Sequence, residues 1–90
     1  MAGETYGVAL VPSTRQAMEG EQLAKAAGLA VRIIPTPGKL DASCGFSLRY
    51  DLKEEDALVA LLQAHGIAWQ ALYAAKRQGL MVSYTKLKEV

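Results

Sequence analysis

The stretch Ala30-Val31-Arg32-Ile33-Ile34-Pro35-Thr36-Pro37-Gly38-Lys39-Leu40-Asp41-Ala42-Ser43-Cys44-Gly45-Phe46-Ser47-Leu48-Arg49-Tyr50 decides how this chain folds. Ala30 to Ile34 is a short β-rich apolar run. Gly45 to Tyr50 alternates, with Phe46, Leu48 and Tyr50 on one face and Ser47 and Arg49 on the other. Two prolines and a glycine within Pro35-Thr36-Pro37-Gly38 forbid regular structure between the runs. Two strands therefore follow one another with a loop, and no helix, between them.

Working towards the N-terminus, Thr5-Tyr6-Gly7-Val8-Ala9-Leu10-Val11 reads as a strand ended by Pro12. Ser13-Thr14-Arg15-Gln16 has the form of a capping box, opening a helix that runs to Ala27. Ala17, Gly20, Leu23, Ala24 and Ala27 share a face of mostly small residues, which predicts a helix lying close against a sheet. Gly28 supplies the left-handed residue that commonly follows a helix end. Towards the C-terminus, Asp51 caps a second helix, with Glu54 three residues on and acidic residues in its first turn. Leu58, Leu61, Leu62 and His65 share its face, and Gly66 ends it. Ile67 to Tyr73 reads as a fourth strand, with Ile67, Trp69, Ala71 and Tyr73 alternating against Ala68, Gln70 and Leu72.

The order strand, helix, strand, strand, helix, strand predicts an α+β, ferredoxin-like βαββαβ sandwich. It has a four-stranded antiparallel sheet with both helices on one face, and strands 1 and 3 as central neighbours. The domain is assigned to residues 1–73. Residues 74–90 form a C-terminal tail, in which Leu80-Met81-Val82 reads as an extra edge strand, a partner-binding segment or a loose end. The positions expected to point out of the open sheet face include Gly7, Ala9, Arg32, Ile34, Ser47, Arg49 and Gln70.

Ninety residues make one domain with one modest core. At 51% hydrophobic and 21% charged residues, the composition is that of a folded globule and not of a disordered chain. No apolar run approaches the ~18 residues of a membrane span, and Met1-Ala2-Gly3-Glu4 does not open like a secretory signal, so the expected location is cytoplasmic and no membrane partner is expected. A net charge of +1 gives no electrostatic reason to expect nucleic acid. One cysteine and one histidine build neither an internal disulfide nor a structural zinc site, so no metal or cofactor is expected.

Cys44 is the best candidate for chemistry. It immediately precedes strand 3, and Pro12-Ser13-Thr14 immediately follows strand 1. An antiparallel pairing of those strands would therefore set the thiol beside the start of the first helix. The amides and partial positive charge there favour thiolate and lower a cysteine pKa from its free value of about 8.5. Arg15 and Lys39 would add to this if turned inward, and Gly45 leaves room beside the sulfur. The competing reading is a small buried hydrophobe, which is what most lone cysteines are.

The apolar first strand, Pro12-Ser13-Thr14, Ala17, Glu21, Gly28, Ile34-Pro35-Thr36-Pro37 and Ser43-Cys44-Gly45 together resemble a family of small bacterial selenium/sulfur carrier-like proteins. The resemblance covers roughly residues 5 to 73. It implies that Cys44 carries a sulfur or selenium atom as a persulfide or selenosulfide; the strand placement, and not the resemblance, adds Ser13, Thr14, Arg15, Lys39 and Gly45 in support. It also implies a cysteine desulfurase or a selenium-handling enzyme as donor or acceptor. The protein would then be a carrier and not a self-contained enzyme.

Two other readings compete with it. The same element order builds RNA-recognition domains, but there the third-strand aromatics face away from the helices, and here Ser47 and Arg49 take that side. The other rival is a small oligomeric regulatory or interaction domain, binding a partner or anion through its open sheet face with Cys44 structural. A homodimer is expected under that reading. His65 reads as the C-terminal cap of the second helix, Trp69 as core, and Glu54-Glu55-Asp56 as a helix start.

Overall fold

A computed structural model describes residues 3–40 and 45–89. The elements are β1 (Glu4–Leu10), α1 (Thr14–Ala26), β2 (Val31–Pro35), β3 (Phe46–Tyr50), α2 (Glu55–Ala64), β4 (Ala71–Gln78) and β5 (Met81–Glu89). The sheet has five strands in the order β2-β3-β1-β4-β5, and every neighbouring pair is antiparallel. The expected four-stranded sheet is thus corrected to five strands, within an α+β fold.

The fifth strand exists because of one residue. Gly79 adopts φ +61, a left-handed conformation that glycine enters without steric cost. It occupies the first central position of a two-residue turn, so Gln78 pairs with Met81 and the chain doubles back along β4. The fourth strand also starts later than expected. Ile67 and Gln70 spend their amides on the carbonyls of Leu62 and Leu10, at 2.9 and 2.7 Å, leading the chain from α2 back to the sheet. Pairing then runs from Ala71 to Gln78, so the boundary drawn between 73 and 74 falls inside β4.

Both faces of the sheet carry a core. On one, Ala17 and Ala24 of α1 and Leu58 and Leu62 of α2 pack on Ala9, Val31, Leu48, Tyr50 and Leu72. Close approach is what the small residues of α1 permit: a Cβ on Gly20 would come within 3.2 Å of Leu48 Cδ1 and Leu62 Cδ2. The Tyr50 ring fills the space above Gly7 on the neighbouring strand. Burying each such leucine contributes on the order of 1.5–3 kcal/mol.

The opposite face holds Val8, Leu10, Ala71 and Ala75, flanked by Tyr6, Leu40, Tyr73, Val82 and Tyr84. This corrects two of the expected outward positions, since Ala9 packs among the helices and Gly7 lies under the Tyr50 ring. β1 is apolar in both alternation phases, so its pattern does not say which phase meets the helices. Ser47 does lie opposite the helix-facing residues, yet it is fully buried, its hydroxyl 2.7 Å from Thr36 Oγ1. Phe46, expected inside, is 38% exposed at the start of its strand.

The loop after β2 supplies much of the second face's cover. Leu40 donates its amide to the Pro37 carbonyl at 3.0 Å, and its side chain packs on the Val8 cluster. The Lys39 ammonium then reaches β5, donating to the Val82 carbonyl at 3.3 Å. Residues 36–40 thus strap the sheet, from the β2 edge to the β5 edge.

Candidate functional site at the opening turn of the first helix

β1 and β3 pair antiparallel, with Leu10 opposite Ser47, so the exit of one strand lies beside the entry of the other. β1 leads through Pro12 into the cap of α1. The Ser13 hydroxyl accepts from the Gln16 amide at 3.2 Å, and the Ser13 carbonyl accepts from the Ala17 amide at 2.9 Å. Among the described residues, no acceptor takes the amides of Thr14 and Arg15. The first turn of α1 contains no acidic side chain either. The partial positive charge of this 13-residue helix is therefore uncompensated by its own carboxylates, and an anion placed there would be stabilised.

β3 is entered through Gly45, whose carbonyl accepts from the Thr36 amide at 3.2 Å. A Cβ built on Gly45 would point at Thr14 Oγ1, 3.6 Å away. The opening of α1 and the backbone just before β3 are thus in van der Waals proximity. Cys44 itself, with Asp41, Ala42 and Ser43, lies outside the described residues. Of the other anticipated residues, Ser13, Thr14 and Gly45 come together here. Arg15 is exposed on the first turn, and Lys39 is drawn away to the Val82 carbonyl.

The remaining charged groups serve other ends. Arg49 pairs with Glu4 at 3.0 Å and stacks over Tyr6 at 3.9 Å from the ring centre. His65 caps the C-terminus of α2 and is exposed. Tyr50 donates to Glu55 Oε1 at 2.6 Å; burial and that neighbouring carboxylate hold its hydroxyl far above the usual tyrosine range.

The feature that the pattern of residues left unread is the tyrosine-rich second face. Tyr6, Tyr73 and Tyr84 stand there with Arg49 and Lys86, the latter 5.9 Å from the centre of the Tyr73 ring. Burial and the neighbouring Tyr6 raise the Tyr84 pKa, and Glu89 raises that of Lys86. The signal was the alternation of Val82, Tyr84 and Lys86 after Gly79, in a segment read as a tail.

Among the described residues, no helix is long and apolar enough to cross a membrane. No curated protein and no solved structure matches the chain. One family model does match, over residues 6–74, and it takes in the β1–α1 turn, the proline loop with Cys44 and the entry to β3. That span is most of the chain, and the protein belongs to the family described as "Putative Se/S carrier protein-like".

Proposed function

We propose that this protein carries a sulfur or selenium atom on Cys44 and delivers it to a partner protein. The observation that carries the reading is the proximity of Gly45, the residue after Cys44, to Thr14 at the opening of α1. The amides of Thr14 and Arg15, from which no described residue accepts, and the lack of acidic side chains in that turn favour a thiolate, and likewise the anionic form of a persulfide or selenosulfide. Family membership supports the same reading.

The transfer is an exchange at sulfur. The Cys44 thiolate attacks the outer sulfur of a donor persulfide, such as one formed on a cysteine desulfurase. The donor S–S bond breaks as the new one forms, and the donor departs as a thiolate with no net oxidation. An acceptor thiolate, or a selenium-handling enzyme in the selenium case, takes the outer atom in the same way. With a single cysteine in the chain, the atom passes to another molecule. The chemistry suits a thiol-reducing compartment such as the cytoplasm.

The test is incubation with a cysteine desulfurase and free cysteine, followed by intact-mass measurement. Wild type gains the mass of one sulfur atom, reversibly with reductant, and Cys44→Ser gains none. A wild-type protein that stays unmodified while the desulfurase turns over, or equal gain by Cys44→Ser, overturns the proposal.

A further inference from the structure

The two edges of the sheet are treated differently. At the β2 edge, every amide that would face outward is accounted for. Pairing of β2 with β3 places Ile34 opposite Ser47, and Thr36 donates to Gly45, so Val31, Ile33 and Pro35 point their backbones away from the sheet. The Val31 amide bonds the Leu29 carbonyl at 3.1 Å, the Ile33 amide bonds Glu21 Oε2 at 2.7 Å, and Pro35 has no amide. Just before the strand, Ala30 donates to Glu54 Oε1 at 3.0 Å. This edge is closed to a further strand.

The β5 edge is not. In a two-residue hairpin the residues flanking the turn exchange both hydrogen bonds, so the next residue and every second one after it face outward. Those are Val82, Tyr84 and Lys86. The Lys39 ammonium on the Val82 carbonyl marks that outward direction, and a carbonyl retains a second lone pair. Among the described residues, nothing accepts from the amides of Val82, Tyr84 or Lys86. Apolar side chains gather along the same edge, with Leu80 98%, Met81 72% and Leu87 43% exposed.

We infer that β5 pairs antiparallel with β5 of a second copy of this chain about a two-fold axis at Tyr84, joining two sheets into one. The strand is self-complementary in this pairing, as a two-fold interface demands. In this register Tyr84 faces Tyr84 of the second copy, and Val82 faces Lys86, whose stem lies along it. Ser83 faces Thr85, two hydroxyls within reach of one another, and exposed Met81 faces Leu87. The charged residues are kept apart, for Lys86 and Lys88 oppose Val82 and Leu80. Shifting the axis to Thr85 sets Met81 against Glu89 and Ser83 against Leu87. Shifting it to Lys86 sets that lysine against itself, which is unfavourable across strands. The inference uses nothing at Cys44 and stands or falls separately from the carrier reading.

Light scattering on the eluting protein gives twice the 9.7 kDa chain mass, with dissociation only on dilution. Lys86→Pro removes an outward amide from an edge position where proline is tolerated, and shifts the protein to monomer with unchanged circular dichroism. Should that variant lose its fold, cross-linking decides. In a Cys44→Ser background, Tyr84→Cys forms a disulfide dimer under mild oxidation, because the two-fold brings the same position of each copy together. Thr85→Cys and Lys86→Cys do so at least tenfold more slowly. A chain that stays monomeric at millimolar concentration, or cross-links that favour Thr85 or Lys86 over Tyr84, overturns the inference.

Discussion

The aromatic ring of Tyr50 covers Gly7 of the adjacent strand, in the volume that any side chain at position 7 would need. Tyr50 is 1% exposed, and it has α2 above it and Gly7 beneath. Gly7→Ala must therefore push the ring off its seat or part the two central strands. The expected loss is about 2–3 kcal/mol, the upper part of the range for overpacked cores. Urea denaturation measures it, and a midpoint equal to that of wild type would show that the ring has somewhere else to go.

The same tyrosine makes stability depend on pH. Its hydroxyl pKa is raised by burial and by Glu55, so the folded state holds the proton more tightly than the unfolded chain. The contribution is complete below the ordinary tyrosine value of about 10 and is lost as pH rises above it, because only the unfolded chain then ionises. Tyr50→Phe loses the 2.6 Å bond to Glu55, costing about 1 kcal/mol at pH 7. The gap between the two proteins narrows above pH ~10. A gap that widens there contradicts the assignment.

Leu40 fastens the strap to the second face. Leu40→Ala removes its packing on Val8, Leu10, Ala71 and Ala75. Since the residue is only half-buried, the cost sits near the low end of the core range, about 1–2 kcal/mol. Limited proteolysis between residues 36 and 40 should quicken by more than the global loss explains. Equal protection in both proteins would mean that the strap is held elsewhere.

Ser13 separates the cap from the charge. Ser13→Ala forfeits the bond to the Gln16 amide, at about 1 kcal/mol of stability. Ser13→Asp keeps a capping oxygen and adds a negative charge at the helix opening. Its stability should match wild type, while sulfur uptake by Cys44 from a desulfurase slows about fivefold, the equivalent of about 1 kcal/mol in a helix-end charge interaction. Unchanged uptake in a folded Ser13→Asp protein would detach the chemistry from α1.

How much of this could be read from residues alone follows from the strength of each local signal. Ser13 and Asp51 announced helix starts by side-chain chemistry that tertiary context did not override, although Asp51 opens a single 3-10 turn before α2 proper. β3 was legible because its polar residues choose a face. β1 was not, since Tyr6, Val8 and Leu10 are as apolar as Gly7 and Ala9. β5 is half legible: Leu80-Met81-Val82 reads as an extra edge strand among other readings, but charged residues dilute the alternation beyond it, and an edge strand with one half-covered face needs no strong pattern. At the site, Thr14 and Gly45 could be brought together from topology, as strands 1 and 3 must be neighbours. The direction of Lys39 could not, because it depends on a carbonyl 43 residues away, in a strand whose pairing the pattern leaves open.

The segment matching the family ends at residue 74, whereas Val82, to which Lys39 is moored, lies beyond it. Residues 36–40, which precede Cys44 in the chain, are thus tied in part to a strand that lies outside the matched segment. Under the carrier role proposed above, substitutions in β5 change the mooring of residues 36–40 and leave the opening turn of α1 untouched.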